Sequence, residues 1–286
     1  MLHQSNKLSR LFGKFAHKKF PKHLQRIINK TYINLFNIDL HEFEDYTHYE
    51  SLNALFARTL KKPRTLESKP FNLISPTDSV IMESGSITNN TALQIKGKSY
   101  HVLELLYGYG AQYSNYADNT QPTHSLPLNL DSYNFLNLYL SPRDYHHYHA
   151  PCDLEILEAR YFNGMLLPVN KKSLLNNSNL FVHNERVVLK VRLRYNASIA
   201  YFVAVGALNV GKICFNFDER IRSNAKEGNN IYTYENPLQY KAGENLGHFE
   251  MGSTVVLIAQ AHWSIKTHDV VKMGQEIGTL PALQVL

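Results

Sequence analysis

Val187-Val188-Leu189-Lys190-Val191-Arg192-Leu193, followed shortly by Ala200-Tyr201-Phe202-Val203-Ala204-Val205, decides the fold. Both runs are rich in β-branched and aromatic residues, and runs of the same kind recur at 211–217 and 254–259. From about residue 66 onward such runs alternate with Gly, Asn, Asp and Pro, which predicts a β-rich body. Upstream the period is different. Leu8, Leu11, Phe12 and Phe15 stand at i, i+3, i+4 and i+7 until Pro21, and Leu24, Ile27, Ile28, Leu35 and Phe36 continue a similar stripe. A third short helix is expected over 49–60, before Lys61-Lys62-Pro63-Arg64. The fold class is therefore α+β: amphipathic helices in 1–65 and a β-rich domain in 66–286. Residues 109–130, rich in Asn, Tyr and Thr, read as a long surface loop.

Hydrophobic residues make up 44% of the 286 residues and charged ones 19%, which excludes a disordered tail, a collagen-like fibre and a coiled coil. The formal charge of +6 is unevenly spread. Eight of the 30 basic residues precede the first acid, Asp39, so residues 1–38 carry +8. The remainder, with 22 basic against 24 acidic residues, carries −2. A nucleic-acid-binding body is therefore not expected. A basic amphipathic segment suits an anionic membrane surface, or packs on its own domain. Cys152 and Cys214 make no disulfide scaffold and match no zinc spacing, so a reducing compartment is expected. Val255-Val256-Leu257-Ile258-Ala259 falls far short of a ~20-residue span, and basic residues interrupt the N-terminal apolar positions, so neither a membrane span nor a signal peptide is expected. The chain reads as soluble or peripheral.

Three segments carry candidate chemistry. Ser75-Pro76-Thr77-Asp78-Ser79 presents one carboxylate in a turn. Tyr139-Leu140-Ser141-Pro142-Arg143-Asp144-Tyr145-His146-His147-Tyr148-His149-Ala150-Pro151 packs three histidines into four positions. They suit a general base, metal ligands or a surface cluster, but no Cys or Glu at matching spacing completes a metal shell, and no metal is expected. Gly247-His248-Phe249-Glu250-Met251-Gly252-Ser253-Thr254 runs directly into an apolar strand. Each segment alone has a bland structural reading.

Together the three resemble the bacterial phosphatidylserine decarboxylase proenzymes, the pyruvoyl-dependent type. Met251-Gly252-Ser253-Thr254 matches that family's L-G-S-T, the second segment matches Y-L-S-P-R-D-Y-H-x-x-H-x-P, and the first matches S-P-x-D with Ser79 where Gly is common. Agreement extends through Phe56-Ala57-Arg58, Lys96-Gly97, Leu105-Leu106, Gly164, Val169-Asn170, Asn184-Glu185-Arg186-Val187 and Val205-Gly206-Ala207. Lys212 replaces a frequent Ser. His268-Asp269-Val270-Val271-Lys272-Met273-Gly274-Gln275-Glu276-Ile277-Gly278 resembles the hairpins of biotinyl and lipoyl carriers, but the decarboxylase resemblance covers this run as well, and it reads as shared sandwich-hybrid turn geometry.

The resemblance implies self-cleavage between Gly252 and Ser253 into a β chain (1–252) and an α chain (253–286), which stay partners. Ser253 is the nucleophile, His149 its base and Asp78 the orienting acid, by the logic of a Ser-His-Asp triad. Ser253 then becomes a covalent pyruvoyl group, which forms a Schiff base with the amine of phosphatidylserine and accepts the electrons released with CO2, giving phosphatidylethanolamine. His149 is the first candidate for the final protonation and His146 a helper. His147 has no expected chemical role, while Arg143 and Asp144 brace the loop. The resemblance further implies a homodimer, peripheral on the cytoplasmic face of the inner membrane. A serine or metal-dependent hydrolase and a non-processing membrane-binding module are the rival readings.

Overall fold

The computed structural model describes residues 4–95, 97–108, 130–208, 212–221, 223, 228–250 and 253–282. Helices α1 (Gln4–His17) and α2 (Lys22–Phe36) are separated at Pro21, whose extended backbone caps the second, and Asn37 in the left-handed conformation closes it. A 3-10 turn (Tyr46–His48) precedes α3 (Leu52–Phe56), capped by the Ser51 hydroxyl accepting from Ala54 N–H. The helix expected over 49–60 is thus shorter at both ends. Ser51 starts it, and beyond Phe56 the chain turns to the body, where the Ala57 carbonyl accepts from His147 Nε2.

Strands β1 (Asn72–Ile74), β2 (Ser79–Ser86), β3 (Thr91–Ile95) and β4 (Lys98–His101) lead to α4 (Val102–Tyr107). Then come β5 (Asn134–Leu140), β6 (His147–His149), β7 (Leu154–Phe162), α5 (Lys171–Asn176) and α6 (Leu180–His183). The remaining strands are β8 (Arg186–Leu193), β9 (Ile199–Gly206), β10 (Lys212–Phe215), β11 (Asn230–Tyr240), β12 (Asn245–Glu250), β13 (Ser253–Ala259), β14 (His262–Trp263), β15 (Val270–Val271) and β16 (Glu276–Thr279). The β-prone runs at 187–193, 200–205 and 254–259 are strands, as expected. The run at 211–217 is a strand over Lys212–Phe215, beyond which the chain bends at Asn216 and Phe217, and residue 211 lies outside the described residues. Of the expected loop over 109–130, residues 109–129 lie outside the described residues, and Leu130 is fully buried.

An antiparallel eight-stranded sheet, ordered β11-β7-β8-β9-β13-β5-β2-β15, organises the body. Alternate residues of β13 supply two cores. Val255 and Leu257 join Tyr148, Phe215 and Phe249 of a three-stranded sheet, β10-β12-β6, while Val256 and Ile258 join Leu105, Leu106 and Phe181 of the short helices. The strand is apolar throughout because both of its faces are covered. One face of the large sheet thus carries the β10-β12-β6 sheet, and the other carries the short helices with the β3-β4 hairpin.

The N-terminal helices pack on α3. Ala16, Tyr49, Leu52 and Leu55 form a small core with Phe12, Ile28, Tyr32 and Ile33 against it. The buried Asn29 donates to the carbonyls of Tyr46 and Tyr49. Yet Leu11, Phe15, Leu24, Ile27 and Leu35 remain exposed, Leu11 at 68% and Leu35 at 72%. The helices bury one apolar strip and leave another in solvent. No helix among the described residues is long and apolar enough to cross a membrane.

Because Leu257 sits in the central strand between β9 and β5, truncation there should be costly. Leu257→Ala is expected to lower unfolding free energy by about 2–5 kcal/mol, read by chemical denaturation.

Candidate active site

Strand register brings the three sequence segments to one end of the large sheet. Tyr139 of β5 lies across from Val80 on one side and from Thr254 on the other. Asp78 therefore precedes β2, Leu140 ends β5 and Ser253 begins β13 at the same edge. Ser253 is paired with Leu140 and Gly206 and is completely buried. Among the described residues its Oγ has no hydrogen-bond partner, nor has Oγ1 of Thr254. A buried hydroxyl left unsatisfied costs about 1–3 kcal/mol, a penalty normally avoided in a core. Glu250 ends β12, and Gly252, expected on the carbonyl side of the cleavage site, lies with Met251 outside the described residues.

The histidine loop leaves β5 beside Ser253. Asp144 folds it back: its Oδ2 accepts from both N–H and Oγ of Ser141, at 2.7 Å each. Burial raises the Asp144 pKa, opposed by these bonds from Ser141. Asp144 thus braces the loop as expected. Arg143 is exposed, and its guanidinium is 4.0 Å from Asp144, a distance at which it adds little. The stronger brace is Arg58, only 2% exposed, which donates from Nη2 to the carbonyls of Arg143 and Asp144 at 2.6 and 3.0 Å. Phe43 stacks under it, 4.6 Å from the guanidinium carbon.

The three histidines diverge in their partners. His146 Nδ1–H donates to the Asp144 carbonyl at 2.8 Å, fixing the tautomer, and Nε2 is buried without a partner. Burial, with Arg58 adding to it, holds His146 well below the usual histidine range. His147 uses both nitrogens structurally: Nε2–H donates to Ala57 O, and Nδ1 accepts from Asn245. Burial pushes its pKa down to about 4, consistent with the expected lack of a chemical role.

His149 donates from Nδ1 to the Gly243 carbonyl at 2.8 Å, and its Nε2 accepts from the Tyr145 hydroxyl at 3.1 Å. Gly243 has φ +79, a left-handed turn that suits glycine. Its carbonyl fills the orienting place expected of Asp78, and no hydrogen bond joins Asp78 to His149. The two segments meet through backbone instead, His149 N–H donating to Pro76 O at 2.9 Å. Burial lowers the His149 pKa; the Gly243 bond and the Asp78 charge work against that shift, and Arg64 reinforces it.

Asp78 is spent elsewhere. Arg64 Nη1 and Nη2 meet its two oxygens at 2.5 and 3.0 Å, Met273 N–H donates at 2.8 Å and Lys272 Nζ lies at 3.3 Å. Arg64 also forks onto Glu42, at 2.8 and 2.7 Å. The Arg64 and Asp78 side chains are 11% and 5% exposed, so this pair holds a desolvated carboxylate in place. A cleft of about 240 Å³ opens beside it, lined by Arg58, Asp78, Arg143, Asp144, Tyr145 and Lys272 among others. Arg64 carried no sequence signal beyond a basic stretch, and Gly243 acts through a backbone carbonyl that any residue possesses.

The chain matches the family model described as Phosphatidylserine decarboxylase over residues 52–279. It is 50% identical to a phosphatidylserine decarboxylase proenzyme of Helicobacter pylori, covering 99% of this chain and 100% of that protein. It is 45% identical to the Campylobacter jejuni proenzyme, over 96% and 98% of the two chains, and 32% identical to that of Brevibacillus brevis, over 97% and 95%.

Two outcomes test this geometry. Removing Arg64 strands a buried carboxylate, so Arg64→Met should cost about 3–5 kcal/mol in denaturant unfolding. His146, His147 and His149 are all depressed by burial, so the unfolded chain binds their protons first. Their contribution is complete above the unfolded value, about 6.5, and is lost as pH falls from there toward 4. The denaturation midpoint should fall through that window, and a His147→Asn variant should show a shallower fall.

Proposed function

The chain belongs to the phosphatidylserine decarboxylase family, and from that premise we propose that it matures itself at Gly252–Ser253 and converts phosphatidylserine to phosphatidylethanolamine and CO2. The observation that carries the reading is the Ser253 hydroxyl, buried and unpartnered at the head of a central strand. A nucleophile whose target is the peptide bond that precedes it needs no external partner in the core.

In the first step Ser253 Oγ attacks the Gly252 carbonyl carbon, its proton passing to His149 Nε2 and from there to the departing Ser253 nitrogen, so that the peptide bond is exchanged for an ester and a free amine. The bond from Nδ1–H to Gly243 O keeps the lone pair on Nε2, and the Tyr145 hydroxyl must yield that lone pair to the serine proton. Asp78 acts through its charge, stabilising the imidazolium that forms, while Arg64 limits that gain. Loss of the Ser253 Cα proton then expels the Gly252 carboxylate, and water replaces nitrogen at the resulting dehydroalanine, releasing ammonia. The residues fit a pyruvoyl group at 253: it would take the space of an unbonded serine side chain. That group supplies the electron sink for decarboxylation. His149 supplies the proton that replaces CO2, and His146, with a free Nε2, assists in binding or protonation.

The N-terminal region 1–65 is the membrane-association region in this reading, and 66–286 the catalytic domain, acting as a homodimer on the cytoplasmic face of the inner membrane. The exposed strip of Leu11, Phe15, Leu24, Ile27 and Leu35, together with the +8 charge of residues 1–38, supports the membrane role. The helices are also packed on the body, so point changes test this better than truncation. Leu11→Ser with Ile27→Ser should weaken binding to anionic vesicles by about tenfold or more, as each buried side chain contributes roughly 1.5–3 kcal/mol, and should leave self-cleavage unchanged. Equal vesicle binding would refute the membrane role.

Denaturing gels test the chemistry. Ser253→Ala and His149→Ala should each give one uncleaved, inactive chain, and Asp78→Asn should cleave slowly. Normal cleavage in His149→Ala would transfer the base to His146, and normal cleavage in Asp78→Asn would remove Asp78 from the mechanism.

A further inference from the structure

Outside the centre just described, one group of metal-ligating side chains converges among the described residues. Ligand atoms of Cys214, His248 and Glu250 all lie within 4.8 Å of one another. Strand register assembles them. Cys214 of β10 stands directly across from His248 of β12, and Glu250 follows His248 by two residues, on the same face of the strand. Gly247 permits the approach, since a Cβ there would lie 1.9 Å from the Cys214 carbonyl oxygen. One further imidazole lies at the edge of this group, near Glu250 but not within 4.8 Å of all three donors. His17, the last residue of α1, places Nε2 3.0 Å from Glu250 Oε2.

The thiol, imidazole and carboxylate that converge are donor types of a zinc site, and His17 would close a four-ligand shell by turning its Nε2 from Glu250 to the ion. His147 stacks on His248 with ring centroids 5.0 Å apart, but both its nitrogens are engaged by Ala57 and Asn245. It can fix the orientation of the His248 ring without competing as a ligand.

We propose that Cys214, His248, Glu250 and His17 form a structural site for a divalent ion of the zinc class. The ion would fasten the end of α1 to β12, two residues before the Gly252 side of the cleavage site. Binding replaces the Cys214 thiol proton with a sulfur–metal bond and releases that proton to solvent, with no change of oxidation state. It would join the helical region to the body by coordination, and would keep the end of β12 in place when Gly252 becomes a chain terminus.

The test uses full-length protein stripped with a chelator and titrated with Zn²⁺ or Co²⁺ alone. One zinc per chain is expected by elemental analysis, with a rise in melting temperature. The cobalt form should show the sulfur-to-metal charge-transfer absorption of a thiolate ligand, lost in Cys214→Ser. His17→Ala should keep that absorption but weaken zinc binding by at least about tenfold. Wild-type protein that takes up no zinc, or whose cobalt form lacks thiolate absorption, overturns the site however the variants fold. Zinc binding unchanged in a folded His248→Gln variant overturns it equally.

Discussion

Everything at the reactive end of the molecule depends on where Ser253 is held. Its hydroxyl is sealed without a hydrogen bond at the head of a strand covered on both faces and paired along both edges. Such a strand cannot leave the sheet without dismantling two cores. The proposed cleavage would therefore occur inside a framework that holds both new chain ends, the 253–286 fragment staying bound through β13. The unsatisfied hydroxyl is a modest penalty against the burial of Val255, Val256, Leu257 and Ile258, each contributing roughly 1.5–3 kcal/mol. The packing of one strand can thus hold an unpaired polar group at the proposed cleavage site.

Two arginines, Arg58 buried and Arg64 partly so, set the rest of the centre. Arg58 holds the histidine loop by its carbonyls, and Arg64 holds Asp78 and Glu42. Both come from the segment joining the helical region to the body. The helices are consequently coupled to the histidine loop, while their outer apolar strip stays exposed. Arg64 also changes the part Asp78 can play. With its oxygens engaged by Arg64, Met273 N–H and Lys272, the carboxylate influences His149 through charge, and Gly243 supplies the orienting bond. The carrier-like turn around Lys272-Met273 finds its local use here, as a pair of donors to Asp78.

The sequence made the strands legible where apolar residues ran uninterrupted, as in 187–193 and 254–259, since those patterns report burial directly. Pro21 likewise marked a helix boundary that the backbone obeys. The three candidate segments gained meaning through family resemblance, because no periodicity states that Asp78, the start of the histidine loop and Ser253 come to one end of the large sheet. The orienting carbonyl of Gly243 had no side-chain signature. Cys214 and His248 were equally hidden, for their meeting depends on the register of two strands. The short α3 was overextended because Ser51 and the turn at Ala57 outweigh helical spacing.

The most direct test of the central claim is the intact mass of the C-terminal fragment after denaturation of the purified protein. Intramolecular attack by Ser253 followed by conversion to pyruvoyl predicts a 253–286 fragment lighter by one ammonia than the peptide beginning with serine, and reactive toward carbonyl reagents. A fragment retaining a free Ser253 amine would indicate ordinary hydrolysis, and an uncut chain would show that the buried hydroxyl does not react. Either result would contradict the account.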